Sequence, residues 1–353
     1  MMTAALSSPP ASAPKEELAD WLELRALMDS DRSSSLQDLV REIRRNGSID
    51  ALENSPDWGS SDSERVAQDA FGEVESRMHA CGKSKYPFAV SNHSIVLREN
   101  YERSPYIFQL LLTKFGLVSA SGLPSPEKTF EEIAAVAAQR YFGPDGEVAG
   151  FAFGFPRRYD AKNFAQALDH LCGKLGEGGG AKIPTADAAG IAKAKKIAEQ
   201  KDGKVDIVAW RPFPDRRVGK LIGFGQCACG ATDWRNKLSE LQPGNFEKLW
   251  LREGFSFIPL RMFFVPRRVE EHDWKDIAIQ AGILFDRCRI THHCGSLKDD
   301  LASECAAWTK TIIASRLLAK GSATKKARPK AGAAKRTPSS KSASAPKKRG
   351  SRG

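Results

Sequence analysis

Nowhere in the 353 residues does an apolar run approach the ~18 consecutive residues that a membrane-spanning helix requires, and the opening MMTAALSSPPASAPKEE has no apolar segment behind a basic one. Neither a membrane span nor a secretory signal is expected, which places the chain in the cytoplasm. Cysteine is sparse and scattered: seven residues, an odd number, at Cys81, Cys172, Cys227, Cys229, Cys288, Cys294 and Cys305. That pattern excludes a disulfide framework and predicts reduced thiols. Cys288, His292, His293 and Cys294 lie close in sequence, but no second CxxC-type half accompanies them, so packing is preferred over zinc. Acidic residues are absent from 320–353, which carries twelve Lys and Arg of a chain whose formal charge is +11. The remainder is therefore close to neutral, and the positive charge is a property of the tail.

That tail, rich in Ala, Ser, Pro and Gly, cannot bury enough apolar surface to fold, but it can bind a polyanion by releasing counterions. Lys325, Lys326, Arg328, Lys335, Arg336, Lys347, Lys348 and Arg349 are its candidate nucleic-acid contacts, and they imply association with the nucleoid. The alternative is a tail that only aids solubility.

Composition shifts divide the rest. Residues 1–16 read as a disordered leader, 17–122 as an N-terminal α+β module, 123–300 as an α/β domain, 301–319 as a C-terminal helix and 320–353 as the disordered basic tail. Within the module, Leu18, Trp21, Leu22, Leu24 and Leu27 recur at helical spacing, SSSLQDLVREIRR predicts a second helix, and 47–63 reads as a loop. YPFAVSNHSIVLREN predicts a hairpin turning near Ser91 and Asn92, and SPYIFQLLLTKFGLV a buried helix. Beyond residue 123, FEEIAAVAAQRYFG is a capped amphipathic helix and VAGFAFGFP a strand; KNFAQALDHLCGKLG is helical, and VDIVAW and GKLIGFGQCA are strands. DWRNKLSEL predicts a helix, RMFFVPRRV a strand and WKDIAIQAGILFDRCRI one more helix. Interleaved helices and short apolar strands argue for a mixed α/β layer fold.

Within GKVDIVAWRP the carboxylate of Asp206 interrupts a run of β-formers. Burying it is costly unless it is paired, and a divalent cation is one suitable partner. The following turn, RPFPDRRVGK, reverses the chain and brings Gln226, on GFGQCA, beside Asp206 on the neighbouring strand. KDGKVDIVAW, then GFGQCA about twenty residues on, with the helix that opens FEE before both, resembles the PD-(D/E)xK nuclease superfamily in its Mrr-like restriction-endonuclease branch.

The resemblance implies a restriction-endonuclease-like core, a mixed central sheet flanked by helices. It also implies that Asp206 and Gln226 hold Mg2+ or Mn2+ for hydrolysis of DNA phosphodiesters, in bacterial restriction or antiphage defence. The implied partners are DNA and a partner subunit of a defence system, in a chain free to form homo-oligomers. The family's Lys position is Ala228, a departure that leaves two readings, a catalytically inactive subunit that binds nucleic acid or protein, or an amine supplied from elsewhere.

Lys237 falls on a predicted apolar stripe with Trp234, Leu238 and Leu241, either snorkelling to water or acting as that amine. On the preceding helix, Glu131 lies at the edge of the stripe formed by Phe130, Ile133, Ala134, Ala137 and Tyr141, whereas Glu132 lies opposite, so Glu131 is the further candidate ligand. Both glutamates also suit a helix N-terminus without any site. LGEGGGAK lacks the Walker spacing, so Glu177 has no assigned role, and His170 reads as a helix-face residue. The pairs Arg216/Arg217 and Arg267/Arg268 are either phosphate contacts or solvated charge.

Overall fold

The computed structural model describes residues 9, 10, 12–50, 60–182 and 199–325. In the N-terminal part, helix α1 (Lys15–Met28) buries Leu18, Leu22 and Leu27. Strand β1 (Ser33–Ser35) leads into α2 (Leu36–Asp50), and α3 spans Ser60–Cys81. A hairpin, β2 (Phe88–Ser91) with β3 (Ser94–Leu97), turns through Asn92 and His93, both at positive φ as a tight two-residue turn demands. These strands form an antiparallel three-stranded sheet in the order β1-β3-β2, followed by the buried helix α4 (Pro105–Phe115).

The second sheet carries the rest. Helix α5 (Pro126–Phe142), capped by Ser125, precedes β4 (Ala149–Ala152), and α6 (Phe164–Leu175) precedes the hairpin β5 (Ile207–Arg211) and β6 (Leu221–Cys227). Then come α7 (Pro243–Trp250), β7 (Leu260–Phe264), α8 (Trp274–Ala281), β8 (Ile283–Phe285), α9 (Arg287–Cys294) and α10 (Asp299–Lys325). Strand order is β4-β5-β6-β7-β8, the first three antiparallel and the last two parallel to β6, so the chain is a mixed α/β fold.

Strand alternation sorts the two faces. Ile207, Ala209, Met262 and Phe264 join Phe130, Ile133, Ala134 and Ala137 of α5 in one core. Val208, Trp210, Ile222 and Phe224 join Phe164, Leu168 and Phe246 of α6 and α7 in another. Gly223 lets α5 sit close, because a Cβ there would come within 2.7 Å of both the Phe142 ring and the Met262 methyl.

Several expectations change. The predicted helix WKDIAIQAGILFDRCRI is α8, β8 and α9 in succession: Gly282, at φ 80° and against the Arg261 carbonyl, ends the helix, and Ile-Leu-Phe joins the sheet edge. DWRNKLSEL forms only a 3-10 turn, Trp234–Lys237, and the extended Gln242 before Pro243 separates it from α7. Helix occupies much of the predicted loop 47–63, since α2 runs to Asp50 and α3 starts at Ser60; residues 51–59 lie outside the described residues. The leader is structured as far as it is described, with α1 starting at Lys15 and the Pro9 carbonyl accepting from Asn46. At the other end α10 continues past residue 319 to Lys325, whereas Lys326, Arg328, Lys335, Arg336, Lys347, Lys348 and Arg349 lie outside the described residues. Among the described residues no helix is long and apolar enough to cross a membrane.

One hydrophobic core runs across residue 122, from α1, α3 and α4 to α5 and α9. Alongside it lies a buried ionic network. Arg287 donates to both carboxylate oxygens of Asp20 at 2.7 and 3.0 Å, and Arg77 reaches Asp20 at 2.7 Å, Glu23 at 3.1 Å and Glu73 at 3.0 Å. Tyr86 and Tyr106 both donate to Glu23, and Arg268 links Glu73 to Asp286. Burial alone would raise the pKa of Asp20, but Arg287 and Arg77 hold it down at about 2. Arg287→Met is expected to cost about 3–5 kcal/mol in urea unfolding, because it removes the two-bond partner of Asp20 and leaves Arg77 as the one guanidinium for both Asp20 and Glu23. Asp20 stabilises the fold above its unfolded pKa, and that contribution is lost as pH falls through the usual carboxylate range toward about 2.

Candidate functional site

At the start of β5 the ladder slips. Ile207 pairs with Gly225, and the amide of Asp206 also donates to the Gly225 carbonyl, at 2.9 Å, so Gly225 opposes two residues. This is the geometry of a bulge, which re-aims a side chain. The Asp206 carbonyl accepts from Phe153 and Gly154 at 2.7 and 3.1 Å, and its carboxylate Oδ2 accepts from the Cys227 amide at 2.7 Å. Asp206 is thus fixed from both neighbouring strands.

Its other oxygen, Oδ1, lies 3.0 Å from where a Cβ on Gly154 would stand, and Oε2 of Glu131 lies 2.9 Å from the same point. The separation of the two carboxylates is bounded by the sum of these distances. Glu131, only 8% exposed, reaches this point from the first turns of α5. Lys128, one turn earlier and 5% exposed, bonds Glu131 and donates to the Gly154 carbonyl at 2.7 Å. Sequence reasoning passed over Lys128, although the spacing of three that places it beside Glu131 on the helix was available.

The electrostatics of the pair are unfavourable. Burial, reinforced by the charge of Asp206, pushes Glu131 up to about 8 against the pull of Lys128. Burial, with the charge of Asp202 adding to it, pushes Asp206 up to about 7, although the Cys227 amide, Lys128 and Lys237 all favour its ionised form. Near neutrality the two carboxyls therefore tend to retain a proton. The neighbouring thiols of Cys227 and Cys229 are driven well above their ordinary range by burial and by these same carboxylates, so neither is a thiolate nucleophile.

The remaining candidates are placed elsewhere. Gln226 is buried, but its amide nitrogen donates to Glu240 at 3.0 Å, and Glu240 in turn meets Lys204 at 2.9 Å. Its carbonyl oxygen is buried with no partner among the described residues. Ala228 is fully buried, packed with Trp234 and Phe263. Lys237 does not lie on a buried helical stripe: it ends the 3-10 turn with its side chain 35% exposed, 3.7 Å from Asp233, within electrostatic reach of Asp206. Glu132 faces Arg158.

The weaker motifs are structural where described. Glu177 accepts from the amides of Gly219 and Ser256, pinning two loops. His170 stacks on Tyr159 at 4.4 Å, and Cys294 donates to the Ile133 carbonyl. Arg267 is bonded to the carbonyls of Gly230 and Ala231, whereas Arg216 and Arg217 are exposed in the β5–β6 turn. Among the described residues, Glu270, His272 and Asp273 are a further group whose ligand atoms converge, but it is a surface cluster engaged with Arg235.

The proton tension has a measurable consequence. A carboxyl whose folded pKa is raised stabilises the fold below its unfolded value, and that contribution disappears as pH rises through the folded one. In the presence of a chelator, Glu131→Gln is expected to gain stability relative to wild type between about pH 5 and about pH 8, on the order of 1–2 kcal/mol, read from urea midpoints. A pH-independent difference would show that the pair is not strained.

Set against known protein families, curated proteins and solved structures, the chain matches none. The facing carboxylates of Glu131 and Asp206 are therefore the ground on which a functional reading stands.

Proposed function

We propose that the chain is a divalent-metal-dependent nuclease with a restriction-endonuclease-like core, hydrolysing DNA phosphodiesters. The observation that carries this reading is the convergence of Glu131 and Asp206 on one point beside Gly154. Two buried carboxylates that share a single buried amine, Lys128, together with the Gln226 oxygen that is buried on β6 without a partner among the described residues, suit a hard cation that takes oxygen ligands. Magnesium is commonly held by one or two carboxylates together with the substrate's phosphates. The cation would neutralise charge on the phosphate and favour an attacking water.

The chain supplies the rest. Asp206 is locked in orientation by the Cys227 amide and by its own backbone bonds, and Glu131 is set by the rigid first turns of α5. Lys128, already on Glu131, is the buried amine at the site, and it can take up a proton-holding or phosphate-facing role once a cation engages the carboxylates. Lys237 stands further out, toward solvent. The order α5, β4, β5, β6 with the parallel β7 supports the proposed core, and the defence role proposed with it follows from the resemblance alone.

A second reading has its own observation: Ala228 is buried where the resembled family carries Lys, and the Gln226 amide is engaged with Glu240. In that case the chain binds metal and nucleic acid without cutting. Purified protein incubated with supercoiled plasmid and Mg2+ or Mn2+ separates the two. Cleavage is expected, with losses of roughly 10²-fold or more for Asp206→Asn and Glu131→Gln and a similar loss for Lys128→Met. Intact plasmid, together with a Mn2+-dependent rise in melting temperature that Asp206→Asn abolishes, would instead select the inactive reading.

A further inference from the structure

Strand β4 is an edge strand, and the chain leaves it directly beside the carboxylates. Phe153 and Gly154 are buried, Gly154 with its carbonyl on Lys128 and its amide on Asp206. The next residue, Phe155, is 48% exposed. Its ring has two cations over it, the Arg157 guanidinium and the Lys201 ammonium, each 5.6 Å from the centroid. Arg157 also donates to the Lys201 carbonyl, which ties the two segments together. Neither cation makes an ion pair among the described residues, in contrast to Arg158, which is clamped on Glu304. The loop is held in place: the Tyr159 hydroxyl donates to the Phe153 carbonyl at 3.1 Å, and the Tyr159 ring stacks on His170. Of the other exposed aromatics, Phe213 and Phe257 lie in or near the far β5–β6 turn, and Tyr141, in the last turn of α5, packs edge-on against Phe285 and His293.

We infer that Phe155, with Arg157 and Lys201, is a stacking platform for an unpaired nucleic-acid strand, and that it selects single-stranded or frayed DNA for the carboxylates beside it. The inference rests on the nuclease reading only for what happens after binding. An exposed ring offers a surface to any base, because every base has a π-face, and cations without counter-ions beside it complement phosphates. In a paired duplex the base faces are already covered by stacking neighbours, so the ring cannot be used. Cationic holding points beside the site favour the approach of a polyanion. A ring one residue from Gly154 places such a point against the candidate site.

The test measures binding with cleavage switched off. Fluorescence anisotropy of the full chain in EDTA compares a labelled single-stranded oligodeoxynucleotide with its duplex, at several salt concentrations. Phe155→Ala is expected to weaken single-strand binding about tenfold, within the range of one base–aromatic stack, and to leave duplex binding unchanged. Phe155→Trp is expected to restore the single-strand affinity. Arg157→Gln and Lys201→Gln should weaken binding and lower its salt dependence. Equal affinities of wild type and Phe155→Ala for the single strand, or equal losses on both substrates, would overturn the inference. A chain that binds single strands through Phe155 but never cleaves plasmid with Mg2+ or Mn2+ supports the platform and removes the nuclease reading. A chain that cleaves duplex DNA while Phe155→Ala changes nothing does the reverse.

Discussion

Two carboxylates that face one another inside a protein repel, and the architecture around β5 is what keeps them there. At an effective dielectric constant of ~20, two unit charges about 5 Å apart repel by roughly 3 kcal/mol. Lys128 and the Cys227 amide offset part of that, yet both acids still titrate far above their usual range. The backbone removes the option of relaxing. Asp206 is bonded through its amide, its carbonyl and one carboxylate oxygen, and Glu131 sits on a helix whose apolar stripe is sealed against the sheet. Strain of this kind persists where the surroundings over-determine it, and such sites are drawn disproportionately from functional ones.

The ionic network around Arg77 and Arg287 is the instructive contrast. It is as deeply buried, but each guanidinium there meets carboxylates at bonding distance, and Asp20 is pulled below its ordinary pKa. Its carboxylates each meet a guanidinium, and Glu23 accepts from two tyrosines besides, so the network explains itself as a joint between the N-terminal helices and α9. The Glu131–Asp206 pair has one buried amine for two acids, and its electrostatics are completed by nothing in the described chain. That asymmetry separates a structural use of buried charge from a site awaiting a cation.

How much of this was legible in the sequence follows from the range of the forces involved. The hairpin of β5 and β6, the helix carrying Glu131 and the choice of Glu131 over Glu132 rest on local periodicity, and the structure places those elements as the pattern indicates. The slip at Gly225 was not legible, because register and bulges depend on cross-strand bonds. It matters, since strict alternation would set Asp206 beside Gln226, whereas the bulge hands its carboxylate to the Cys227 amide and leaves Gln226 to Glu240. Lys237 fails for a related reason: a wheel assumes a helix, and the segment before α7 forms only a 3-10 turn that ends at Lys237. Gly282 hid β8 in the same way, by dividing an apparently continuous helical stretch.

Lys128 shows where the amine question leads. A Lys at position 228, one residue past β6, would enter the cluster in which Ala228 is buried with Trp234 and Phe263. An amine entering from α5 avoids that crowding and arrives at the carboxylates from the helix side, anchored by the Gly154 carbonyl. Gly154 is then doubly constrained. A side chain there would collide with both acids, and its carbonyl and amide are the points through which β4 is tied to Lys128 and Asp206. The absence of a Cβ is what allows an edge strand, a helix and the β5 bulge to meet at one point, and the chain leaves that point immediately into the exposed ring of Phe155.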